Sequence, residues 1–265
     1  MKSISLILPV LNEEENLVYL IPQLENLLDN YFEDNYEIIV VDDNSTDNTL
    51  TILKNFKKIN KNINFIIRKK KNSLPKSILD GIKFSKYKYV MWLDADGSMD
   101  IDSIERLVTS FIEDSNSIYI GSRFVEGGGY KGYEENKNIS STIYKLFNSE
   151  DSFLAVILSL MFNKLLKSLL RTEISDLTSG FIIINRDYLK DYVFEISEYG
   201  DYFIYLVDLI SKNKLEITEV GYYCKPRKYG YSKTSTNMFR LISLSYPYIL
   251  AAFKCRFGKF DENIR

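Results

Sequence analysis

Short β-branched runs alternate with helical stretches through the first half of this chain, and three of those runs end in polar clusters. Residues 4–10, 36–41, 63–67, 89–93 and 118–120 have strand character. Between them, apolar spacing predicts helices over about 14–28, from a cap at Ser45 or Thr46 to Lys57, over 75–85, and from an Asp100 cap to Glu113. Strand–helix alternation of this kind predicts an α/β fold with a doubly wound, mostly parallel sheet and flanking helices. In such sheets ligands bind at the carboxyl ends of the strands. Asn12-Glu13, Asp42-Asp43 and Asp94-Ala95-Asp96 all fall at such ends, so three polar clusters converge on one edge.

The second half is less regular. Helices are expected at about 152–170, 185–194 and 201–212, and a strand at about 216–223. Gly127-Gly128-Gly129 opens a polar stretch to Asp151 that reads as a mobile loop. At 265 residues and 45 % hydrophobic side chains, the chain suits one large α/β domain. The N-terminus reads as entering a strand directly rather than as a signal peptide. The longest apolar runs, about 153–162 and 241–253, fall short of the ~20 residues that span a bilayer.

Chemistry is bounded by what is missing. With no His, acid–base or metal chemistry must use carboxylates, Lys or Tyr. Cys224 and Cys255 form no CxxC pair, so neither a zinc site nor a disulfide framework is signalled. The net charge of −2 gives no reason to expect nucleic acid, but it is unevenly placed. Residues 221–265 carry a net +7 and the rest −9, and no acidic residue lies between Gly221 and Phe260, where ten aromatics are interleaved. Such a stretch suits phosphates and anionic lipid headgroups. Residues 236–265 are therefore set apart as a basic, aromatic segment with a membrane-interfacial character, following a main domain over 1–235.

Asp94-Ala95-Asp96 is the centre of the chemical reading. Two carboxylates one residue apart at a strand end can point into the same cleft. Mg²⁺ or Mn²⁺ takes oxygen ligands, commonly one or two carboxylates plus substrate phosphates. Asp100 is available as the helix cap, which leaves Asp94 and Asp96 for another role. In Asp42-Asp43-Asn44-Ser45 a carboxylate can accept hydrogen bonds from a base N–H or a ribose hydroxyl. Capping by Asn44, Ser45 or Asp47 is the competing explanation.

The strings LPVLNEEENL, VVDDNSTDNT, WLDADGSMD, GSRFVEGGG, DLTSGF and RKYGYSK occur in that order over about residues 3–235. Together they resemble the family-2 inverting glycosyltransferases of the GT-A fold. The last three strings are most similar to the branch that contains dolichol-phosphate mannosyltransferases and polyprenyl-phosphate sugar transferases. The resemblance implies that Pro9, Glu13, Val41 and Asp43 line a nucleoside pocket and that Asp94, Ala95 and Asp96 meet the metal and diphosphate. It further implies that Arg123 meets a phosphate, that Ser179 borders the acceptor site, and that Arg227 and Lys233 clamp the diphosphate or lipid phosphate. Where relatives carry Gln two residues after the second Asp, this chain has Ser98, which leaves room for an extra water on the metal.

The implied reaction is a single displacement that moves a hexose from a GDP-mannose or UDP-glucose type donor to a polyprenyl phosphate, with inversion. It needs Mg²⁺ or Mn²⁺ and a chain lying peripherally at the cytoplasmic face of a membrane. The alternative is transfer to a glycan hydroxyl, which requires a general base, with Asp201 and Asp176 as candidates. A catalytically inactive binding domain is opposed by the intact Asp94 and Asp96.

Overall fold

The computed structural model describes residues 2–114, 118–130, 153–225 and 238–258. The first half follows the alternation read from the sequence: β1 (Ile4–Val10), α1 (Glu14–Phe32), β2 (Tyr36–Asp42), α2 (Thr49–Ile59), β3 (Ile63–Ile67), α3 (Leu74–Phe84), β4 (Tyr89–Trp92), α4 (Ile101–Glu113) and β5 (Ile118–Ser122). The rest comprises β6 (Gly129–Tyr130), α5 (Phe153–Leu170), β7 (Ile182–Asn185), a 3₁₀ turn at Arg186–Tyr188, α6 (Asp191–Glu195), α7 (Tyr202–Lys212), β8 (Ile217–Gly221), β9 (Tyr223–Cys224) and α8 (Met238–Phe257).

Seven strands form one sheet in the order β3-β2-β1-β4-β7-β5-β8. All are parallel except β7, which runs antiparallel between β4 and β5. The expected helix over 185–194 is therefore corrected to a strand end, a 3₁₀ turn and the short α6. Ile182–Ile184 is buried on both faces of the sheet, so it shows no alternation that would announce a strand. The remaining pair, β6 and β9, forms a separate small ribbon.

Core side chains lie on both sides of the sheet. Ile4, Leu6 and Leu8 face α1, Leu53 of α2 and Leu107 of α4. Ile7, Ile39 and Trp92 face α3, α6, α7 and the C-terminal helix. Buried Ala251, Ala252 and Cys255 of α8 belong to this second cluster, and α8 packs on α5 and α7. The 238–258 part of the C-terminal segment thus contributes to the core. The Gly-rich stretch is likewise a packing device where it is described. A Cβ on Gly221 would lie 2.3–2.5 Å from the backbone of residues 126–128, so only glycine lets these chains approach.

Candidate active site

The carboxyl ends of β1, β2 and β4 bring the polar clusters to one edge. Parallel pairing sets Pro9 directly opposite Val41 and Val10 opposite Asp42. The Asp43 N–H then donates to the Val10 carbonyl, extending the β1–β2 ladder by one bond. Asn12 and Asn44 turn the chain at these ends with positive φ, a conformation Asn tolerates better than most residues. Asn12 Oδ1 accepts the Thr46 N–H at 2.7 Å, and Ser45 Oγ accepts the Asn12 N–H at 2.8 Å. The cap expected at Ser45 or Thr46 is corrected: α2 begins at Thr49, and Ser45 holds the β1 loop instead. Asp47 accepts from both the Thr49 and Glu14 N–H groups, so it serves the starts of two helices. Glu13 sits at the head of α1, where its carboxylate accepts from Asn16 Nδ2 at 2.6 Å.

Asp43 is left for another task. It is buried, its Oδ2 accepts the Ser73 N–H at 2.6 Å, and its Oδ1 pairs with Arg68. Arg68 is itself buried, donates through Nε to Asp80 at 2.8 Å, and also reaches Ser77 Oγ. Sequence reading passed over Arg68, because a lone Arg followed by three lysines looks like a solvated charge run. A buried guanidinium facing two carboxylates is a built feature, since an unpaired charge there would be costly.

At the end of β4, Asp94 is exposed and Asp96 is buried. Asp96 Oδ1 accepts the Ser98 N–H at 2.9 Å, which turns the loop back on itself. Among the described residues no group of three or more Asp, Glu, Cys or His gathers as a metal cage. The donor set that remains, two carboxylates at a cleft edge, fits Mg²⁺ or Mn²⁺ completing its shell with diphosphate oxygens and water.

This loop is fastened to β9. The Ser98 carbonyl accepts the Lys225 N–H at 2.8 Å, and Met99 bridges to Cys224. Lys225 Nζ lies 2.5 Å from Asp100 Oδ2, while Asp100 Oδ1 caps α4 by accepting the Ser103 N–H, as expected. Burial alone would raise the Asp100 pKa, but bonds from Lys225 and Ser103 and the Lys225 charge hold it below the usual value. The segment that carries Arg227 and Lys233 starts from this anchored point. Both residues lie outside the described residues.

Arg123 follows β5. Its fork grips Asp176, with Nε to Oδ2 and NH2 to Oδ1 both at 2.7 Å, and it also donates to Thr178 Oγ1 at 2.6 Å. Asp176 is fully buried and further accepts the Arg123 and Thr178 N–H groups. That saturation corrects the reading of Asp176 as a base, because both its oxygens are already occupied. Ser179 is buried beside this pair, and its Oγ accepts the Phe181 N–H at 3.3 Å.

Asp201, the other candidate base, is 4 % exposed at the head of α7. Its Oδ1 accepts the Glu198 and Tyr199 N–H groups at 3.1 and 2.7 Å. Next to it, the Tyr202 hydroxyl accepts the Trp92 indole N–H at 3.0 Å, tying α7 to β4. Burial, then the Asp94 charge, raises the Tyr202 pKa well above its ordinary value. Tyr202 was not anticipated, because the partner that gives it a place, Trp92, is 110 residues away in the chain.

Residues 5–193 match the glycosyl transferase family 2 pattern. The chain belongs to glycosyl transferase family 2. It is 32 % identical over 206 residues to an uncharacterized protein of Methanocaldococcus jannaschii, covering 76 % of this chain and 79 % of that one. Identity to the dolichol-phosphate mannosyltransferase of Pyrococcus furiosus is 27 % over 231 residues, covering 87 % of this chain and 58 % of the relative. The poly(ribitol-phosphate) beta-N-acetylglucosaminyltransferase TarP of Staphylococcus aureus is 34 % identical over 49 % of this chain and 39 % of its own length. Both of these named relatives are thus considerably longer than the part this chain matches. Among solved structures, glucosyl-3-phosphoglycerate synthase from Mycobacterium tuberculosis, in complex with Mn²⁺, UDP and glucosyl-3-phosphoglycerate, superposes with a TM-score of 0.62 at 17 % identity. The match covers 96 % of this chain and 80 % of the synthase. The expected GT-A architecture is thereby borne out, with β7 the one antiparallel strand of the seven-stranded sheet among the described residues.

Proposed function

We propose that this family-2 glycosyltransferase moves a sugar from a nucleoside-diphosphate sugar onto a hydroxyl of a glycan or small phosphorylated acceptor, with inversion at the anomeric carbon. The observation that carries the reading is the cluster at the head of α7. Trp92, two residues before Asp94, donates its indole N–H to the hydroxyl of Tyr202, the chain neighbour of Asp201, so the β4 end with its donor-side carboxylate is tied to the acceptor-side carboxylate. Asp201 takes the acceptor proton as the new C–O bond forms and the bond to the diphosphate breaks. Asp94 and Asp96 hold the divalent cation, which when bound neutralises the leaving diphosphate. Pro9, Val41, Glu13, Asp43 and Arg68 border the nucleoside, with Ala95 beside the diphosphate. Arg123 and Ser179 border the acceptor, Arg123 orienting that wall through Asp176 and Thr178. Arg227 and Lys233, which lie outside the described residues, are assigned to the phosphates by the resemblance alone.

Two kinds of relative support an acceptor hydroxyl. Glucosyl-3-phosphoglycerate synthase has been solved with UDP-glucose and phosphoglyceric acid, and the Staphylococcus aureus relative is named for poly(ribitol-phosphate). A second reading, transfer to a polyprenyl phosphate by a chain resting on a membrane, is favoured by the likeness to the dolichol-phosphate mannosyltransferase. It is also favoured by exposed apolar side chains on the packed helices α5 and α8, including Met161, Leu165, Tyr246, Phe253 and Phe257 near Lys254 and Arg256. Among the described residues no helix is long and apolar enough to cross a membrane.

The test offers UDP-glucose and GDP-mannose with simple sugars, phosphoglyceric acid, polyprenyl phosphate and polyprenol in parallel. Transfer to a hydroxyl that Asp201→Asn slows by about 10²-fold or more supports the first reading. Transfer to polyprenyl phosphate alone, undiminished in Asp201→Asn, replaces it with the second.

A further inference from the structure

The C-terminal helix α8 lies outside the strings that resemble the family, yet its Tyr248 side chain reaches the turn before α7. The Tyr248 ring packs edge-on against Phe162 of α5, with centroids 6.0 Å apart. Its hydroxyl presses on the backbone of Gly200, where a Cβ would come within 1.8 Å of the oxygen. Gly200 belongs to the turn folded over Asp201, whose Oδ1 gathers the Glu198 and Tyr199 N–H groups. Burial raises the Tyr248 pKa well above its ordinary value, so the hydroxyl stays protonated. Packed against Gly200, the hydroxyl is a steric stop on the turn that leads into Asp201. On the other side, the Tyr202 hydroxyl lies 3.1 Å from where a Cβ of Gly180 would stand, so a second tyrosine borders the Ser179-Gly180 turn.

We propose that Tyr248 is a positioning residue of the transfer site, acting through the Gly200 turn to hold the Asp201 carboxylate in place for the acceptor. The inference rests on the reading of Asp201 as the base. It makes correct seating of α8 a condition of turnover, and it explains why residue 200 is a glycine although its φ is unremarkable: the hydroxyl needs the space.

Tyr248→Phe keeps the ring and removes only the hydroxyl. With the donor and hydroxyl acceptor found by the parallel assay, turnover is expected to fall about tenfold while the donor KM stays within about twofold. Because Tyr248 works through Asp201, the double variant Asp201→Asn/Tyr248→Phe is expected to be no slower than Asp201→Asn alone. Gly200→Ala, which pushes the hydroxyl aside, is expected to reproduce the Tyr248→Phe loss in a folded protein that still binds UDP and Mn²⁺. Full turnover in Tyr248→Phe, or a loss that multiplies with that of Asp201→Asn, overturns the inference while leaving Asp201 as the base. If Asp201→Asn itself keeps full turnover, the functional reading fails and this inference falls with it.

Discussion

Arg68 and Asp43 are joined by a buried ion pair at the end of β2, and the second oxygen of Asp43 accepts the Ser73 N–H at the head of α3. The carboxylate assigned to the nucleoside is thus fixed from two sides before any ligand arrives. Such preorganisation limits the side-chain entropy lost on binding.

Removing the Asp43 charge strands Arg68 with only the half-exposed Asp80 as an ionic partner. Asp43→Asn is expected to lower stability by roughly 3 kcal/mol, the scale for breaking a buried pair. It should also weaken UDP or GDP binding, read by urea unfolding and calorimetry. Unchanged stability and unchanged binding together would remove Asp43 from both roles.

Arg123 and Asp176 form the other buried pair, and its two-pronged geometry matters. Arg123→Lys keeps the charge but cannot reach both Asp176 oxygens and Thr178 at once. A loss of about 1.5–3 kcal/mol in unfolding free energy is expected. A melting temperature equal to wild type would show that the fork is dispensable.

The C-terminal helix separates two physical roles. Truncation after Ser235 removes Ala251, Ala252 and Cys255 from the core, so a strongly destabilised protein is expected. Phe253→Ser and Phe257→Ser change side chains that are 48 % and 70 % exposed, so the fold should survive. If the membrane reading holds, these two variants lose binding to anionic liposomes; unchanged liposome binding would remove α8 from that role.

Alkaline stability follows from α7 and α8. Tyr205 is buried, and burial first, then the neighbouring Cys255 and Asp201, raises its pKa from 10.0 to about 12. The group stays protonated in the folded chain while the unfolded chain ionises. Its contribution is therefore complete below pH 10 and is lost as pH rises toward 12. Each such group tilts the unfolding free energy by up to about 1.4 kcal/mol per pH unit in that window. Burial also raises the Cys255 thiol, which adds to the slope from its ordinary value of 9.0 upward. Tyr205→Phe should flatten the decline between pH 10 and 12 in denaturant titrations; an unaltered slope would contradict it.

Much of this was legible in the sequence, for physical reasons that also mark where legibility ended. The parallel strands β1 to β5 carry β-branched runs separated by amphipathic helices, and their ends carry Asp43, Asp94 and Asp96 as local signals. The strand β7 is four buried residues followed at once by a turn; its Ile182–Ile184 run is β-branched, but it is short and lacks the alternation of a half-buried strand. Arg68, Tyr202 and Tyr248 owe their places to burial and to partners in distant segments, which no periodicity records. Asp176 and Arg123 were both singled out, but only the folded chain shows that they belong to each other.

The central claim, metal-assisted transfer from a nucleoside-diphosphate sugar, rests on Asp94 and Asp96. Its most direct test measures release of nucleoside diphosphate from UDP-glucose and GDP-mannose in Mn²⁺, for the wild type, for the wild type in EDTA, and for Asp96→Asn. Asp96→Asn preserves shape and removes the charge of one proposed ligand, and loss of one such electrostatic contact commonly costs on the order of 10²–10³ in rate. The account predicts release from at least one donor by the wild type in Mn²⁺, abolished by EDTA and reduced by that factor in Asp96→Asn. Near-normal release by Asp96→Asn, or full activity of the wild type in EDTA, would contradict it.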